Sequence, residues 1–412
     1  MNFDKIHLQE VCNVKGRIGW KGYKKTDLRD SGPIVIGGNN IKNRLYNDYS
    51  EVKHLSMDKF IESPEIILKK DEIIVVSRGN GCGDVGYYHG EYKEATINPS
   101  VVILSDITCD PKYLFYYLIS KDGQERLRAL ISGSSIPAIY QASLRSIQVD
   151  LLPKKSQNFI SSILSSFDDK IELNNKINKN LEELAQTLYK RWFVDFEFPN
   201  EDGEPYKSSG GEMVESELGL IPKGWHVLKL EDRFSFEKGI EPGSKSYETE
   251  KCTDCIAFFR VGDLDQKSNV YVHKGLVKNK LVNKSDVLVS FDGAIGRVGI
   301  GFIGSYSTGL RKVFDNENKI QSSFVYFMMK SDLIQDKIRS HANGTTILHA
   351  GSSIPFLTLP YNEKTVERYE TLINPIFKKL LQLNDENNRL IKVRDELLPK
   401  LMNGEIEVPI EE

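Results

Sequence analysis

The chain has 412 residues, of which 40% are hydrophobic and 27% charged, and its formal net charge at pH 7 is −3. This length exceeds one ordinary hydrophobic core, so we expect two or three domains. The sequence contains no run of about 18 apolar residues, which argues against a membrane span. Five scattered cysteines and a start that lacks an apolar signal-peptide core favour a reducing, cytoplasmic location over a disulfide framework.

Charge is unevenly distributed along the chain. Residues 193–225 are strongly acidic, whereas residues 15–29 carry six cations against the single acid Asp27. A local basic cluster of this kind is the electrostatic footprint of a nucleic-acid reader. Because the whole chain is not basic, we expect a partner that adds positive charge. The cationic side chains of the cluster are Lys15, Arg17, Lys21, Lys24, Lys25 and Arg29.

The first part of the chain predicts a globular unit built on short apolar strands. The glycine-rich segment 16–22 reads GRIGWKG, which predicts a tight basic turn that presents an aromatic side chain. Segment 73–76 is a continuous apolar run, which is typical of a buried strand. Further strands are predicted at 34–36 and 101–104, and a short apolar helix at 113–118.

Two long helical patterns organise the chain. Seam positions in residues 160–192 recur in steps of four and three, which predicts a helix that packs along a second helix. The same ten-position pattern recurs 209 residues later, in residues 369–401, and therefore indicates an internal duplication. Pro375 interrupts the second pattern, so this helix should either restart after Asn374 or kink. The core of the predicted seam is Phe167, Ile171, Asn178, Leu181, Leu188, Leu380, Leu383, Asn387, Leu390 and Leu397.

The second half repeats the order of the first. Landmark strands and glycine turns recur, whereas the loops between them differ, as expected for two copies of one scaffold with different specificities. The predicted fold class is therefore α+β, a tandem duplication of an α/β unit followed by a long helix. The predicted boundaries are 1–155 for the first globular unit, 156–193 for the central helix, 194–225 for an acidic linker, 226–361 for the second globular unit and 362–404 for the distal helix.

Most motifs that suggest catalysis have a better structural explanation. Residues 81–86 and 299–304 match the dinucleotide pattern G-x-G-x-x-G, but turn and strand residues follow where a phosphate-binding helix would have to begin. Cys252 and Cys255 form half of a zinc motif, and no second pair stands at metal spacing, so no metal site is predicted. Asn374-Pro-Ile-Phe377 resembles a methyltransferase tetrapeptide but lies within a helix pattern.

One enzymatic alternative stays open at this point. Asp71 together with Glu91 and Lys93 loosely fits the carboxylate-plus-lysine pattern of metal-dependent nucleases, although a chain with 58 acidic residues produces such matches by chance. A stand-alone nuclease, or a methyltransferase with a degenerate active site, would act when purified alone. A coiled-coil interaction protein without a DNA function is a further alternative, and it would leave no sequence-dependent footprint on DNA.

Three segments give the chain a family resemblance. Residues 188–196 (LYKRWFVDF), 216–225 (SELGLIPKGW) and 394–406 (RDELLPKLMNGEI) resemble the central and distal constant regions of specificity subunits of type I restriction–modification systems. The GRIGWKG segment is similar to the start of one class of their target-recognition domains. The resemblance covers essentially the whole chain.

The resemblance implies a non-catalytic subunit that reads a split DNA site. Each globular unit would be a target-recognition domain for one half-site, and the two helices would form an antiparallel coiled-coil spacer that docks two methyltransferase subunits and, through them, restriction and translocase subunits. S-adenosylmethionine, ATP and Mg are then expected in the partner subunits and no cofactor in this chain. The candidate DNA-contacting residues are Arg17, Lys21, Lys24, Lys25, Arg78, Asn80, Arg260, Arg297 and Arg311.

Overall fold

The computed structural model describes residues 4–17, 22–133, 135–264, 268, 270–344 and 348–407. The chain forms two compact units, and each unit contains a part of both long helices. The first unit comprises Met1–Leu173 and Asn387–Glu412, and the second comprises Asn174–Glu386.

Among the described residues, the first unit contains three small sheets, five short α-helices and a part of each of the two long helices. Strands β2, β8, β5 and β6 form an antiparallel sheet in that order, β4, β3 and β7 form a second sheet, and β1 pairs with β9. The strands and helices, in chain order, are β1 (Asp4–His7), α1 (Leu8–Val11), β2 (Asn13–Lys15), β3 (Leu28–Ile36), β4 (Lys53–Leu55), α2 (Met57–Ile61), β5 (Glu72–Val76), β6 (Val85–Tyr88), β7 (Ala95–Ile97), β8 (Val101–Ser105), α3 (Pro111–Ile119), α4 (Lys121–Ala129), α5 (Gln141–Arg145), β9 (Gln148–Leu151) and the first half of α6 (Lys154–Phe193).

Strand β5 lies between two hydrophobic cores, which explains its unbroken apolar sequence. Ile73 and Val75 face the core that also contains helix α3, whereas Ile74 and Val76 face the core beneath β3 and β7. Alternate residues of a strand point to opposite faces, so a strand covered on both sides must be apolar throughout. The sequence prediction of a buried strand at 73–76 is confirmed.

The second unit repeats this arrangement after a short antiparallel hairpin. Strands β13, β20, β17 and β18 correspond to β2, β8, β5 and β6, and the pair β12–β21 corresponds to β1–β9. The elements in chain order are β10 (Met213–Ser216), β11 (Gly219–Pro222), β12 (His226–Lys229), α7 (Leu230–Arg233), β13 (Phe234–Lys238), β14 (Cys255–Phe259), β15 (Tyr271–His273), β16 (Leu281–Val282), β17 (Val287–Ser290), β18 (Val298–Gly299), β19 (Gly304–Tyr306), β20 (Leu310–Asp315), α8 (Ser322–Lys330), α9 (Asp332–Ser340), β21 (Thr358–Tyr361) and α10 (Glu363–Met402).

Helices α6 and α10 are each 40 residues long. At about 1.5 Å per residue such a helix extends about 60 Å. Helix α10 begins after Asn362, whose side chain accepts a hydrogen bond from the backbone N–H of Thr365 at 3.1 Å. It continues through the exposed Pro375, so the expectation that the helix restarts there is wrong. The Asn374 side chain instead accepts a hydrogen bond from the Ser323 hydroxyl of α8 at 2.5 Å.

The two long helices pair in antiparallel orientation within the second unit. The Asn174 amide donates to Glu386 at 3.0 Å, and the Asn178 amide donates to Asn384 at 2.9 Å. Further along α6, the carbonyl of Ala185 accepts a hydrogen bond from the buried Tyr369 hydroxyl at 3.1 Å. Residue numbers rise along one helix as they fall along the other, which defines an antiparallel pair.

All ten residues of the predicted seam are buried or half-buried. Leu380 and Leu383 are among the most deeply buried, and Asn387 is only 8% exposed. The prediction of a tandem α+β fold with long paired helices is confirmed. Among the residues that the structure describes, no helix is both long and apolar enough to cross a lipid bilayer.

In each unit, polar contacts connect the short helix that is rich in aromatic residues, α3 or α8, to the long helices. In the first unit the Tyr116 hydroxyl donates to Asp168 at 2.6 Å, and Arg394 forms an ion pair with the same carboxylate. In the second unit Glu182 accepts hydrogen bonds from Tyr326 and, at 2.8 Å, from Lys330. The residues differ between the units, although helices α3 and α8 occupy equivalent places.

Candidate nucleic-acid interface

Two loops of the first unit are joined by backbone hydrogen bonds at one end of the β5–β6 hairpin. One loop is residues 77–84, and the other is residues 132–140, of which 134 lies outside the described residues; we call them the first loop pair. The N–H of Gly79 donates to the carbonyl of Pro137 at 3.0 Å, and the N–H of Ile139 donates to Ser77 at 2.8 Å. The loops therefore form one continuous surface.

The second unit repeats this construction. Residues 291–297 connect β17 to β18, and residues 343–350 (345–347 lie outside the described residues) run beside them; these form the second loop pair. The N–H of Gly293 donates to the carbonyl of Leu348 at 2.8 Å, and the N–H of Ala350 donates to Phe291 at 2.7 Å. Both hydrogen bonds of the first loop pair thus recur.

Glycine is required at the turn that begins each loop pair. Gly79 has φ of 99° and Gly293 has φ of 72°, a backbone conformation that side chains with a Cβ atom rarely adopt. With these glycines aligned, Arg78 corresponds to Asp292, and Asn80 corresponds to Ala294. The two units therefore present different side chains on the same backbone frame.

In the first loop pair, Arg78 and Asn80 are both exposed. Within the described part of the chain, neither side chain has a protein hydrogen-bond partner. The neighbouring loop adds exposed apolar surface, because Ile136 is 56% and Tyr140 66% exposed. A guanidinium, an amide and exposed apolar groups on one edge can contact base edges and the faces of bases.

In the second loop pair, His349 forms a contact of 2.7 Å with Asp292 across the two loops. Arg311 of β20 lies half-buried beneath them, with its guanidinium 5.5 Å from the centre of the Phe291 ring. Burial lowers the pKa of Arg311, and the nearby Asp292 carboxylate opposes that effect. The buried Nε atom of Arg311 has no hydrogen-bond partner among the described residues. Arg297 is exposed at the end of the first of these loops.

The structure places the other candidate residues elsewhere in the two units. Arg17 is half-buried and donates to the carbonyl of Ile97 at 3.0 Å, and burial lowers its pKa. Lys24 and Lys25 are exposed beside a 3-10 turn, whereas Lys21 lies outside the described residues. The Arg260 guanidinium forms two hydrogen bonds with the Asp263 carboxylate, at 3.0 and 3.2 Å.

The motifs that suggested catalysis lie in ordinary structural positions. The Asp71 carboxylate accepts a hydrogen bond from the Tyr87 hydroxyl at 2.8 Å, and Glu91 accepts one from the backbone of His89 at 3.2 Å. The glycines of 81–86 lead into strand β6 rather than a helix, and those of 299–304 lead into β19. The 81–86 motif thus lies within the β5–β6 hairpin, whereas 299–304 connects strands of two different sheets, and neither motif opens a helix.

A model of the family described as type I restriction modification DNA specificity domain matches residues 1–183 and 222–354. The chain belongs to this family. It is 27% identical over 310 residues to the specificity subunit of the type I restriction enzyme MjaIX of Methanocaldococcus jannaschii, covering 72% of this chain and 69% of that one. It is 24% identical over 462 aligned residues to the HindI specificity subunit of Haemophilus influenzae, covering 96% and 97%.

A solved S subunit of a type I restriction–modification system from M. genitalium has the same fold. Its TM-score is 0.54 at 18% sequence identity, and the match covers 100% of this chain and 97% of that one. Membership of the specificity-domain family confirms the resemblance found in the constant segments. The alternative of a stand-alone nuclease or methyltransferase has no support from these comparisons.

The sequence did not predict that a second loop completes each loop pair in this member of the specificity-domain family. The loops 132–140 and 343–350 contributed none of the predicted contact residues, and neither Tyr140 nor His349 was among them. The repeated Gly-Ser-Ser and Gly-Thr-Thr starts at Gly133 and Gly344 were the available signal. What the sequence did not show was their hydrogen bonding to the β5–β6 and β17–β18 loops.

Proposed function

We propose that the chain is the non-catalytic DNA-specificity subunit of a type I restriction–modification system and that each loop pair reads one half of a bipartite target. The observation that carries this proposal is the repetition of one hydrogen-bonded loop frame with different side chains in the two units. Two such frames in one chain supply two independent readers.

The side chains of the first loop pair fit direct readout of a DNA groove. Arg78 can donate two parallel hydrogen bonds to a guanine edge, and Asn80 can both donate to and accept from an adenine edge. In the basic cluster, Lys24 and Lys25 are exposed and can neutralise phosphates, which gives affinity without sequence information. The first unit thus combines positioning contacts with base contacts.

The second loop pair fits a different half-site. The Arg311 side chain is half-buried and lies against the Phe291 ring. Binding to DNA would therefore cost little side-chain conformational entropy. Asp292 and Ala294 stand where the first unit has Arg78 and Asn80, and His349 of the neighbouring loop pairs with Asp292. Arg297 adds an exposed cation. Arg260 is committed to Asp263 and would have to leave that ion pair to contact DNA.

The long helix pair would act as the spacer and as the docking surface for two methyltransferase subunits, through which restriction and translocase subunits associate. S-adenosylmethionine, ATP and Mg would be bound by these partners. They would methylate an adenine that is flipped out of the duplex, as such chemistry requires. The assembly would act in the cytoplasm, where its DNA substrate is found.

A domain exchange tests this function. Residues 226–361 carry the second loop pair together with both strands of the closing pair β12–β21, and they leave α6 and α10 intact. The exchange replaces them with the matching segment of a relative, and methylated adenines are mapped in cells that also carry the methyltransferase subunit. One half of the methylated motif should change and the other half should stay.

The matched control exchanges residues 1–153 instead, and it should change only the opposite half-site. Changes in both half-sites from either exchange would refute independent reading by the two units. Methylation that stays at the original motif in both exchanges would show that the chain does not determine specificity.

A further inference from the structure

A group of three metal-ligating side chains lies in the second unit, away from both loop pairs. The sulfur atoms of Cys252 and Cys255 and a ring nitrogen of His273 all lie within 4.8 Å of one another. Cys255 is buried, Cys252 is half-buried and His273 is exposed. Sequence spacing alone did not suggest this group, because His273 is separated from Cys255 by the rest of strand β14, the connection and most of strand β15.

The fold brings the three residues together through two backbone features. The N–H of Cys255 donates to the carbonyl of Cys252 at 3.2 Å, which closes a turn that places both cysteines on one side. Cys255 then starts β14 directly opposite His273, the last residue of β15. Side chains of directly opposed residues in an antiparallel pair project from the same face, with Cβ atoms about 5 Å apart. The N–H of Lys274 donates to Asp254 at 2.9 Å and holds this end of the hairpin closed.

The chemistry of the group matches a thiophilic divalent cation. Two thiolates and one imidazole form a ligand set that Zn²⁺ accepts, with a fourth, solvent-facing position for water. The exposed His273 places that fourth position at the protein surface. We propose that the reduced Cys252–Cys255 pair and His273 bind Zn²⁺ and that the metal ties the turn before β14 to the end of β15.

Cys252 and Cys255 are joined by a disulfide in this structure, and the disulfide and the metal exclude each other. Two-electron reduction by a thiol reductant, which is itself oxidised to a disulfide, yields two thiols. Each thiol then loses its proton when its sulfur binds the cation, so binding releases two protons from the pair. A reducing compartment therefore favours the metal-bound form.

The first unit has no thiol at the corresponding place. Strands β3 and β14 align through their parallel pairing with β7 and β19, which sets Ile36 opposite Ile97 and Phe259 opposite Tyr306. Counting back along both strands places Gly32 where the second unit has Cys255. The zinc group is thus a feature of the second unit alone, and its loss should leave the first loop pair intact.

Metal content of the full chain, purified under reducing conditions, tests the proposal. We expect about one zinc per chain by elemental analysis. Replacement by Co²⁺ should produce the thiolate-to-cobalt charge-transfer absorption. Added Zn²⁺ should raise the Tm of the metal-free reduced chain in proportion to the logarithm of its concentration. A reduced chain that retains no zinc and shows no cobalt–thiolate absorption would overturn the proposal.

Three variants separate this group from adventitious binding. Cys252→Ser and His273→Ala alter residues that are not fully buried, so both should fold, and both should lose the bound metal. His273→Cys should retain it, because a third thiolate replaces the imidazole. Cys109→Ser changes a cysteine of the first unit and should keep the wild-type metal content. Retention of zinc by His273→Ala, or its loss in Cys109→Ser, would contradict the assignment.

Discussion

Arg78 shows at the scale of one residue how a common backbone yields different specificities. It occupies the position of Asp292 in the second unit, beside a glycine that each copy requires. We expect Arg78→Ala to weaken discrimination at one base pair of one half-site by about 1–3 kcal/mol. The other half-site should be read as before. Competition binding of the assembled methyltransferase with single-base variants of the target measures this effect.

Lys5→Ala provides the matched control, because Lys5 is an exposed cation of β1 in the same unit but outside the loop pair. It should leave base discrimination unchanged. Equal loss of binding to every DNA sequence in Arg78→Ala would assign Arg78 to a phosphate instead of a base.

Asp315 is a buried carboxylate at the end of β20, where it contacts Arg233 and the backbone of the following turn. Burial by itself would raise its pKa, but the backbone N–H groups of Ile320 and Lys319 and the Arg233 guanidinium outweigh burial, and the pKa is lowered. Because the pKa is lower in the folded than in the unfolded chain, the resulting stability is present above the usual carboxylate pKa. It is lost as the pH falls through the folded-state pKa.

The free energy of unfolding should therefore decrease in acid, and Asp315→Asn should flatten that part of the pH profile while lowering stability at neutral pH. Chemical denaturation at a series of pH values measures both effects. Asp336→Asn, which alters an exposed partner of Arg339, is the control and should preserve the wild-type profile. An unchanged acid profile in Asp315→Asn would assign the pH dependence to other carboxylates.

At the scale of single residues, the sequence identified side chains of suitable chemistry but did not show which of them are exposed and which have partners within the protein. It singled out Arg78 and Arg260 on equal terms, yet the first is exposed and the second is held by Asp263. Likewise Cys252 and Cys255 were visible as a pair, whereas His273 joins them only through strand pairing. Side-chain partners that are distant in sequence are set by tertiary structure, which spacing does not reveal.

Elements with strong periodicity were predictable because burial imposes the pattern directly. The long helices and the buried strand β5 follow this rule. Pro375 is the instructive exception, since its position on the exposed side of α10 lets the helix continue where local propensity favours a break. Contacts between elements that are distant in sequence, such as the ion pair of Arg394 with Asp168, could not be predicted from any local sequence pattern.

The Asp168–Arg394 ion pair is predicted to hold α3, α6 and α10 together in the first unit. The Asp168 side chain is only 8% exposed and also accepts a hydrogen bond from Tyr116. Arg394→Ala leaves this carboxylate buried without its cation, so it should lower the free energy of unfolding by about 3–5 kcal/mol. Thermal or urea unfolding of the full chain measures the loss.

Asp168→Asn combined with Arg394→Met should recover most of this stability, because the amide can still accept from Tyr116 while neither charge stays buried. Arg339→Ala removes an exposed ion pair and should change stability by less than about 1 kcal/mol. A double variant no more stable than Arg394→Ala would show that packing of the arginine side chain, and not the charge, is responsible.

For the whole molecule, the duplication was visible in sequence because it left a constant offset of 209 between matching seam residues. The sequence showed only part of the correspondence between the sheets of the two units. Matching glycines and apolar runs occur in both units, whereas the loops between them differ in length. Strand pairs β12–β21 and β1–β9 close each unit from segments far apart in sequence. Their pairing follows from the compact fold and not from any local pattern.

We predict that the paired helices determine the length of the unspecific gap between the two half-sites. Because α6 and α10 are antiparallel, an insertion in one helix alone would shift its register against the other, so matched insertions are required. Suitable points are after Asn178 and after Leu383, which both lie on the side of the Asn178–Asn384 hydrogen bond that leads to the Ala185–Tyr369 contact. Four residues in each helix add about 6 Å and rotate it by about 400°, which nearly preserves the seam.

At roughly 3.4 Å per base pair, the gap in the methylated motif should lengthen by one or two base pairs, with both half-sites unchanged. Two residues in each helix rotate the seam by about 200° and should abolish assembly or methylation. Mapping methylated adenines in cells that express each variant with its methyltransferase gives the gap directly. An active four-residue variant that keeps the original gap would show that the helices do not set the spacing. Its longer helix pair would then have left the distance between the two half-sites unchanged.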